Sequence, residues 1–402
     1  MKFNLLWLVF GVLASPVFAS DHVNEVQFLK ELVSISSGTA DVQGVNQVQE
    51  KVSEKLKALG FSVELRPNPS AEEHSGKQLV ATLKGVDPRF ITFIGHADTV
   101  FEKLNPFEIQ PDGKIAKGSG VSDNKGGVVV GISALQYFLE KGQPHFSLRV
   151  IVSPSEETGS GGFGKDLQRY AGDSVMVLGL EPARENGAIV VARKGSRWYT
   201  IHVTGKEAHA GVDHESGINA CHELAIKLDH LQNLTDYKKG NTVSIGRMEG
   251  GKDKFNIVCG EAHAKVDARF TDLDHAKVLF AKIDKILKTD YVHSFKTKEP
   301  SKTTFDGTEY SPPFHLADQT KPLLDVYFSL VLEIEGKPTH GESTGGAGDV
   351  NDMDRPGISI MDGLGPIGGG YHTAEEFVVL STLKTRAQAL ARFLEFLNKK
   401  LQ

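Results

Sequence analysis

The feature that most restricts the fold is a series of short apolar segments, each bounded by turns, that alternates with amphipathic stretches. The stretch at residues 45–59, for example, repeats apolar residues at helical spacing and ends at Gly60. Strands that alternate with helices in this way form a sheet with helices packed on its faces, which is an α/β fold. The strand-like segments are residues 61–65, 79–83, 91–94, 148–152 and 175–180.

Several of these segments end in a turn that carries an acidic residue or a histidine. Ligands of α/β proteins bind at the carboxyl ends of the strands. Imidazoles and carboxylates are zinc ligands, and a pair of metal ions needs a shared carboxylate. Each motif alone would also fit a hydrogen-bonded turn, but the set predicts a hydrolytic metal site. The residues concerned are His96, Asp98, Asp123, Glu156, Glu157, Glu181 and His372.

Four sequence motifs resemble those of the di-zinc metallopeptidases that include carboxypeptidase G, acetylornithine deacetylase, succinyl-diaminopimelate desuccinylase and the aminoacylases. The motifs are GHADTVF at 95–101, SGVSDNKGG at 119–127, SEETGS at 155–160 and MDGLGPIGGGYHT at 361–373. The carboxypeptidase G branch fits best, because EPA at 181–183 is followed by AIVVARKG at 188–195. The resemblance spans nearly the whole chain after its first residues, and it implies a catalytic α/β domain with a mixed sheet.

The resemblance implies a site for two zinc ions per chain. His96 and Glu181 would hold one ion, Glu157 and His372 would hold the other, and Asp123 would bridge them. The spacing of these residues does not by itself decide how the two glutamates are divided between the ions.

The resemblance also implies residues that act on the substrate or orient the ligands. Glu156 would be the general base, and Asp98 would orient the first ligand histidine. His209 resembles a lid histidine that polarises the scissile carbonyl, sometimes in a partner subunit. Asn256 and Arg269 resemble groups that bind the terminal carboxylate of the substrate, for which the planar guanidinium is suited. The sequence pattern alone equally allows a turn or a salt bridge for these last two residues.

The sequence pattern of residues 195–302 predicts a second domain inserted into the first. They lie between Glu181 and His372, contain none of the metal ligands, and mix strand and helix patterns as an α+β sandwich does. The resemblance implies a lid that also forms a homodimer surface. The catalytic domain would then comprise residues 20–194 and 303–402, and a chain of 402 residues is long enough for two domains.

The amino terminus predicts export. Lys2, the apolar run at residues 5–13 and the small residues before Ser20 are typical of a signal peptide spanning residues 1–19, which implies a periplasmic or secreted protein. A membrane anchor is the alternative, but the run is shorter than the roughly 20 residues that span a bilayer. Export would permit a disulfide between Cys221 and Cys259, although two free thiols fit the sequence equally well.

The expected function is zinc-dependent hydrolysis of an amide bond that releases a C-terminal amino acid. Glutamate from a folate-like, peptide or N-acyl substrate is the first expectation, and an N-acyl-amino-acid deacylase or dipeptidase is the alternative. A catalytically inactive periplasmic binding protein is a remote alternative, against which the intact Glu156 argues. The net charge of −6 gives no reason to expect a nucleic-acid partner, and no membrane partner is expected after signal cleavage.

Overall fold

The structure, a computed structural model, describes residues 24–69, 75–308 and 310–400. The predicted signal peptide at residues 1–19 lies outside the described residues. Within them, no helix is both long enough and apolar enough to cross a bilayer.

A six-stranded mixed sheet forms the centre of the molecule. Its strands are β1 (Ser62–Arg66), β2 (Gln78–Leu83), β3 (Asp87–His96), β6 (Phe146–Ser153), β7 (Ser174–Gly179) and β15 (Ser359–Met361). The order across the sheet is β1-β2-β6-β3-β7-β15, in which β6, β3, β7 and β15 run parallel and β1 and β2 are antiparallel to their neighbours. The carboxyl ends of β3, β6 and β7 therefore meet at one edge of the sheet.

Helices cover both faces of this sheet because side chains along each strand alternate between the two faces. Ile91 and Phe93 of β3 pack into a core with α1 (Glu25–Val33), α2 (Val42–Ala58), α3 (Lys125–Leu139), α7 (Lys321–Glu335) and α9 (Leu380–Lys400). Ile94 instead packs on the other face, with α4 (Gly164–Gly172) and α8 (Asp349–Met353). The α/β fold with helices on both faces, predicted from the sequence, is confirmed.

The amino end of α3 lies directly against the end of β7. A Cβ atom on Gly127 would lie 1.8 Å from the carbonyl oxygen of Leu180, so only glycine allows this approach. The close contact brings the loop before α3, which carries Asp123, to the edge where β3 and β7 end.

A second sheet lies between the two parts of the central fold in sequence. Its antiparallel strands are β9 (Gly195–Thr204), β10 (Thr242–Gly250), β11 (Glu261–Phe270) and β12 (Lys302–Gly307), in the order β10-β11-β9-β12. Helices α5 (Ala220–Gln232) and α6 (Leu273–Lys288) pack on it around a separate apolar core. We call residues 195–307 the lid. Its last strand continues five residues beyond the boundary predicted at residue 302.

A disulfide joins Cys221 to Cys259 within the lid. It connects the first turn of α5 to the segment that follows β10, and the backbone N–H of Ala220 donates to the carbonyl of Cys259 at 2.9 Å. The two cysteines are therefore bonded, which the sequence alone left open.

Two smaller sheets complete the structure. One contains β8 (Ile189–Arg193), β13 (Phe314–His315) and β14 (Gly341–Thr344), and the other contains β4 (Glu108–Ile109), β5 (Ile115–Lys117), β16 (Gly368–Gly369) and β17 (Phe377–Val379). The loop between β16 and β17 carries His372, and the segment after β14 carries residues 345–348.

Candidate metal centre and cavity

The edge of the central sheet brings the predicted metal ligands together. His96 is the last residue of β3, and Glu157 lies in the short 3-10 helix Glu156–Thr158 that follows β6. Glu181 follows β7 by two residues, and Asp123 precedes α3. With His372 from the loop after β16, these residues form one cluster.

Distances within the cluster separate it into two halves. His96 Nε2 lies 3.1 Å from Asp123 Oδ1 and 3.6 Å from Glu181 Oε1. His372 Nε2 lies 3.1 Å from Glu157 Oε2 and 3.5 Å from Asp123 Oδ2. Asp123 thus offers one carboxylate oxygen to each histidine, and the grouping of the other ligands is the one that the resemblance implies.

The donor set suits zinc. Ligand atoms of His96, Asp123 and Glu157 lie within 4.8 Å of one another, and His96 is fully buried. Imidazole nitrogens and carboxylate oxygens of this kind are the ligands that zinc takes in catalytic sites. His96, Glu181, Glu157, His372 and Asp123 are therefore the residues that would hold metal.

Electrostatics at the cluster favour a bound cation. Burial raises the pKa of the Glu181 carboxyl to about 8 and that of Glu156 well above its ordinary value. Hydrogen bonds with Asp123 and Glu157 raise the pKa of the His372 imidazole to about 10. Four carboxylates lie close together here, and their mutual repulsion favours the binding of protons. A divalent cation would reduce the same repulsion.

Asp98 fixes the positions of His96 and of the adjacent residues Glu156 and Glu157. Its Oδ1 lies 3.3 Å from His96 Nδ1 and accepts the backbone N–H of Glu156 at 3.1 Å. Its Oδ2 accepts the backbone N–H of Glu157 at 3.2 Å and the hydroxyl of Thr39 at 2.7 Å. The side chain is fully buried, and it leaves Nε2 of the histidine directed at the cluster.

A second buried carboxylate, Glu376, holds the loop of Asp123. Its Oε1 accepts the backbone N–H groups of Ser122 and Asp123, and its Oε2 accepts that of Gly120, each at 2.9 Å. Sequence reasoning missed this residue. The available signal was an acidic residue four positions after His372 and directly before a strand.

A cavity of about 290 Å³ opens beside the metal ligands and Glu156. Three arginines line it. Arg269 donates from Nε to both oxygens of Asp267 at 2.9 Å, and Arg193 donates from Nε to Asp362 at 2.5 Å. Arg184 lies 5.4 Å from the centre of the Tyr371 ring and forms no ion pair within the described residues.

Both acidic and basic side chains therefore line the cavity. Arg269 was predicted from the sequence to contact substrate, whereas Arg184 and Arg193 were not predicted. Residues 346–348, from the loop after β14, line the same cavity.

His209 and Asn256 do not line this cavity among the described residues. Both are exposed at one end of the lid, where Ala210 N–H donates to the carbonyl of Asn256 at 2.9 Å. Nδ1 of His209 accepts the N–H groups of Gly211 and Val212, each at 3.2 Å. The structure brings these two residues close to each other but not to the metal ligands of the same chain.

Comparisons with known proteins agree with this site. Residues 78–197 match Peptidase family M28, and residues 191–294 match the Peptidase dimerisation domain of the M20 group. Carboxypeptidase G2 from Pseudomonas sp. (strain RS-16) is 27% identical over 377 residues, which cover 92% of this chain and 88% of that protein. Succinyl-diaminopimelate desuccinylase from Rickettsia rickettsii (strain Sheila Smith) is 26% identical over 284 residues, which cover 65% of this chain and 73% of that protein.

A solved structure has the same fold along nearly the whole chain. The M20 family metallo-carboxypeptidase Sso-CP2 from Sulfolobus solfataricus superposes with a TM-score of 0.75 at 16% identity, covering 94% of this chain and 100% of that one. The sequence matches, the shared fold and the histidine–carboxylate cluster agree with one another, and along nearly its whole length the chain is similar to the M20 metallopeptidases, a family of hydrolases.

Proposed function

We propose that this protein is a zinc-dependent carboxypeptidase that hydrolyses an amide bond and releases a C-terminal amino acid, with glutamate as the first candidate. The observation that carries the proposal is the cavity itself, which is lined both by Glu156 with four of the metal ligands and by Arg184, Arg193 and Arg269. A substrate with a carboxylate close to its scissile amide would match both sets of side chains, because guanidinium groups bind carboxylates in a planar fork.

In the proposed centre, His96 and Glu181 would hold one zinc ion, Glu157 and His372 would hold a second, and Asp123 would be the ligand common to both. When bound, zinc polarises the scissile carbonyl and lowers the pKa of a water molecule. Glu156 takes a proton from water and delivers it to the leaving amine. Its backbone N–H donates to Asp98, which fixes the position of the base, and burial raises its affinity for a proton.

Relatives support both this reaction and its alternative. Carboxypeptidase G2 is named as a carboxypeptidase, and the desuccinylase as an enzyme that removes a succinyl group. An N-acyl-amino-acid deacylase or dipeptidase with the same centre is therefore the second candidate. In both candidate reactions, the bond that is hydrolysed is an amide next to a residue that bears a carboxylate.

The lid supports the proposal of a homodimer. Its sequence matches a dimerisation domain, and His209 and Asn256 are exposed at its end. A partner subunit would allow these residues to reach a cavity that they do not line in their own chain. A molecular mass measured in solution tests this idea, and a monomer at working concentration contradicts it.

We also propose that the protein is exported to the periplasm or secreted. The disulfide between Cys221 and Cys259 supports this, because such bonds persist in oxidising compartments. Cell fractionation and the amino-terminal sequence of the processed chain test the proposal, and a reduced chain that begins at Met1 in the cytoplasm contradicts it.

The experiment that tests the function compares substrates that differ on each side of the amide. Purified protein, with zinc or with a chelator, is given a folate-type glutamate conjugate, several N-acyl amino acids and unblocked dipeptides. We expect zinc-dependent release of glutamate that is lost in the Glu156→Gln variant while zinc remains bound. Release confined to other amino acids favours the second candidate, and full activity of Glu156→Gln removes that residue as the base.

A further inference from the structure

A second cavity of about 580 Å³ adjoins the catalytic cavity of about 290 Å³. The two cavities share six lining residues, which form the boundary between them that we call the neck. The neck residues are Gly159, Ser160, Ser196, Trp198, Ser311 and Asp352. Because Gly159 follows Glu157 by two residues, the neck begins directly beside the proposed base and metal ligand.

Trp198 has the largest side chain among the neck residues. Its backbone is fixed by Thr308, which accepts the N–H of Trp198 on Oγ1 at 3.1 Å and donates its own N–H to the carbonyl of Trp198 at 3.0 Å. The edge of the indole lies over Gly159, where an added Cβ would be 3.5 Å from Cζ3. Within the described residues, the indole N–H of Trp198 has no acceptor and the ring has no aromatic or cationic partner. The backbone of Trp198 is thus fixed by Thr308, while its ring remains available to a ligand.

Tyr310 supplies a second aromatic surface in the adjoining cavity. Its ring lies 6.2 Å from that of Phe270 and 5.9 Å from that of Phe280, which support it from within the lid. Tyr310 nevertheless remains 45% exposed. A planar group that enters past Trp198 would therefore meet a second ring, that of Tyr310, which neighbouring rings hold in place.

Charge is distributed unequally between the two cavities. Arg184, Arg193 and Arg269 line only the catalytic cavity, whereas the cationic residue of the adjoining cavity is the exposed Lys165. The guanidinium groups that could bind a substrate carboxylate therefore lie in the catalytic cavity. The part of the substrate on the other side of the amide would extend through the neck into the adjoining cavity.

We propose that the adjoining cavity is the acyl-side subsite and that Trp198 and Tyr310 select a planar aromatic acyl group. The proposal rests on the proposed function, because it assumes that the arginine-lined cavity takes the released amino acid. Aromatic rings favour offset or edge contacts with one another, and such contacts add to the burial of the ring. A short acyl group such as acetyl carries no ring and would gain none of these contacts.

The direct test uses the fluorescence of Trp198. The chain has two tryptophans, and Trp7 lies in the predicted signal peptide, so the emission of the processed chain comes from Trp198. The zinc-loaded Glu156→Gln variant is titrated with N-nitrobenzoyl-glutamate and with N-acetyl-glutamate. We expect quenching by the aromatic ligand and little change with the acetyl ligand, together with a Kd about 10- to 100-fold lower for the aromatic ligand.

Variants separate the subsite from a general effect on the fold. Tyr310→Ala is expected to weaken the aromatic ligand about tenfold and the acetyl ligand less than twofold. Tyr237→Ala is the matched control, because that tyrosine is 85% exposed in the lid and lines neither cavity. Equal affinity for the two ligands, or equal weakening of both by Tyr310→Ala, overturns the proposal.

Turnover by the unmodified enzyme keeps this test distinct from that of the proposed function. Release of glutamate from both compounds at equal kcat/KM, without quenching by the aromatic ligand, retains the function and removes the subsite. Quenching and selective binding without release of any amino acid retains the aromatic site and removes the carboxypeptidase function.

Discussion

Replacement of Glu376 by glutamine should loosen the loop that carries the proposed bridging ligand, Asp123. The carboxylate accepts three backbone N–H groups, and an amide can accept only those of Ser122 and Asp123 while its NH₂ group faces the N–H of Gly120. The two remaining bonds lose their charge, at about 1 kcal/mol each, and an unsatisfied buried N–H costs about 1–3 kcal/mol.

Part of this loss is offset because the amide need not be ionised in a buried position. Burial raises the pKa of the Glu376 carboxyl to about 7, so above that pH the wild-type protein bears the cost of a buried charge. Since a rise in pKa from 4.5 to about 7 corresponds to roughly 3 kcal/mol, this offset cancels much of the loss, and we expect a net decrease of no more than about 2 kcal/mol in the free energy of unfolding of the metal-free protein. Displacement of the loop should also lower zinc affinity about 10- to 100-fold, as is typical when groups that orient metal ligands are removed.

The assay is urea denaturation of the metal-free protein above pH 7, combined with competitive zinc titration. Glu375→Gln is the matched control, since the Glu375 side chain is 75% exposed and its ion pair with Lys117 contributes little to stability. A Glu376→Gln variant that equals this control in both unfolding free energy and zinc affinity would refute the reasoning.

Three further predictions follow from contacts near the centre and in the lid. Asp98→Asn should lower zinc affinity about 10- to 100-fold, because the Asp98 carboxylate fixes His96 and the backbone of Glu156 and Glu157. Unchanged affinity in a zinc titration would contradict this role. The pKa of His372 is raised to about 10, so the imidazole of the metal-free protein carries a proton below that pH. Zinc binding should therefore release protons, and the affinity for zinc should increase as the pH rises. Calorimetry in buffers of different ionisation heat measures the proton release, and zero net release speaks against the prediction. Replacing Cys221 and Cys259 by serine should lower the unfolding free energy by about 2–4 kcal/mol, which denaturation with and without reductant checks, and coincident transitions would mean that the bond does not stabilise the lid.

The fold and the metal cluster were accessible from sequence because both depend on local pattern. Apolar runs of strand length ended at His96 and shortly before Glu156, and strands that run parallel must bring such ends to one edge of the sheet. The position of each ligand along the chain was therefore enough to predict that the ligands meet.

Residues that act across long sequence separations were missed for the corresponding reason. Glu376 contacts a loop about 250 positions earlier, and nothing local marks a carboxylate as buried. Arg184 and Arg193 became recognisable only when the cavity showed which side chains face the ligands. For the cysteine pair, likewise, 38 positions of separation say nothing about a Cα–Cα distance of 5.7 Å.

The contacts of Asp98 couple two events that are usually considered separately. One carboxylate faces the imidazole that would bind metal and also receives the backbone of the residue that would move the proton. Any ligand that steadies the Glu156–Thr158 turn therefore also steadies His96, and a coupling free energy between two sites acts equally in both directions. A molecule bound in the cavity should therefore raise the affinity of the cluster for metal, so that the site would hold a metal ion most tightly while a ligand occupies the cavity.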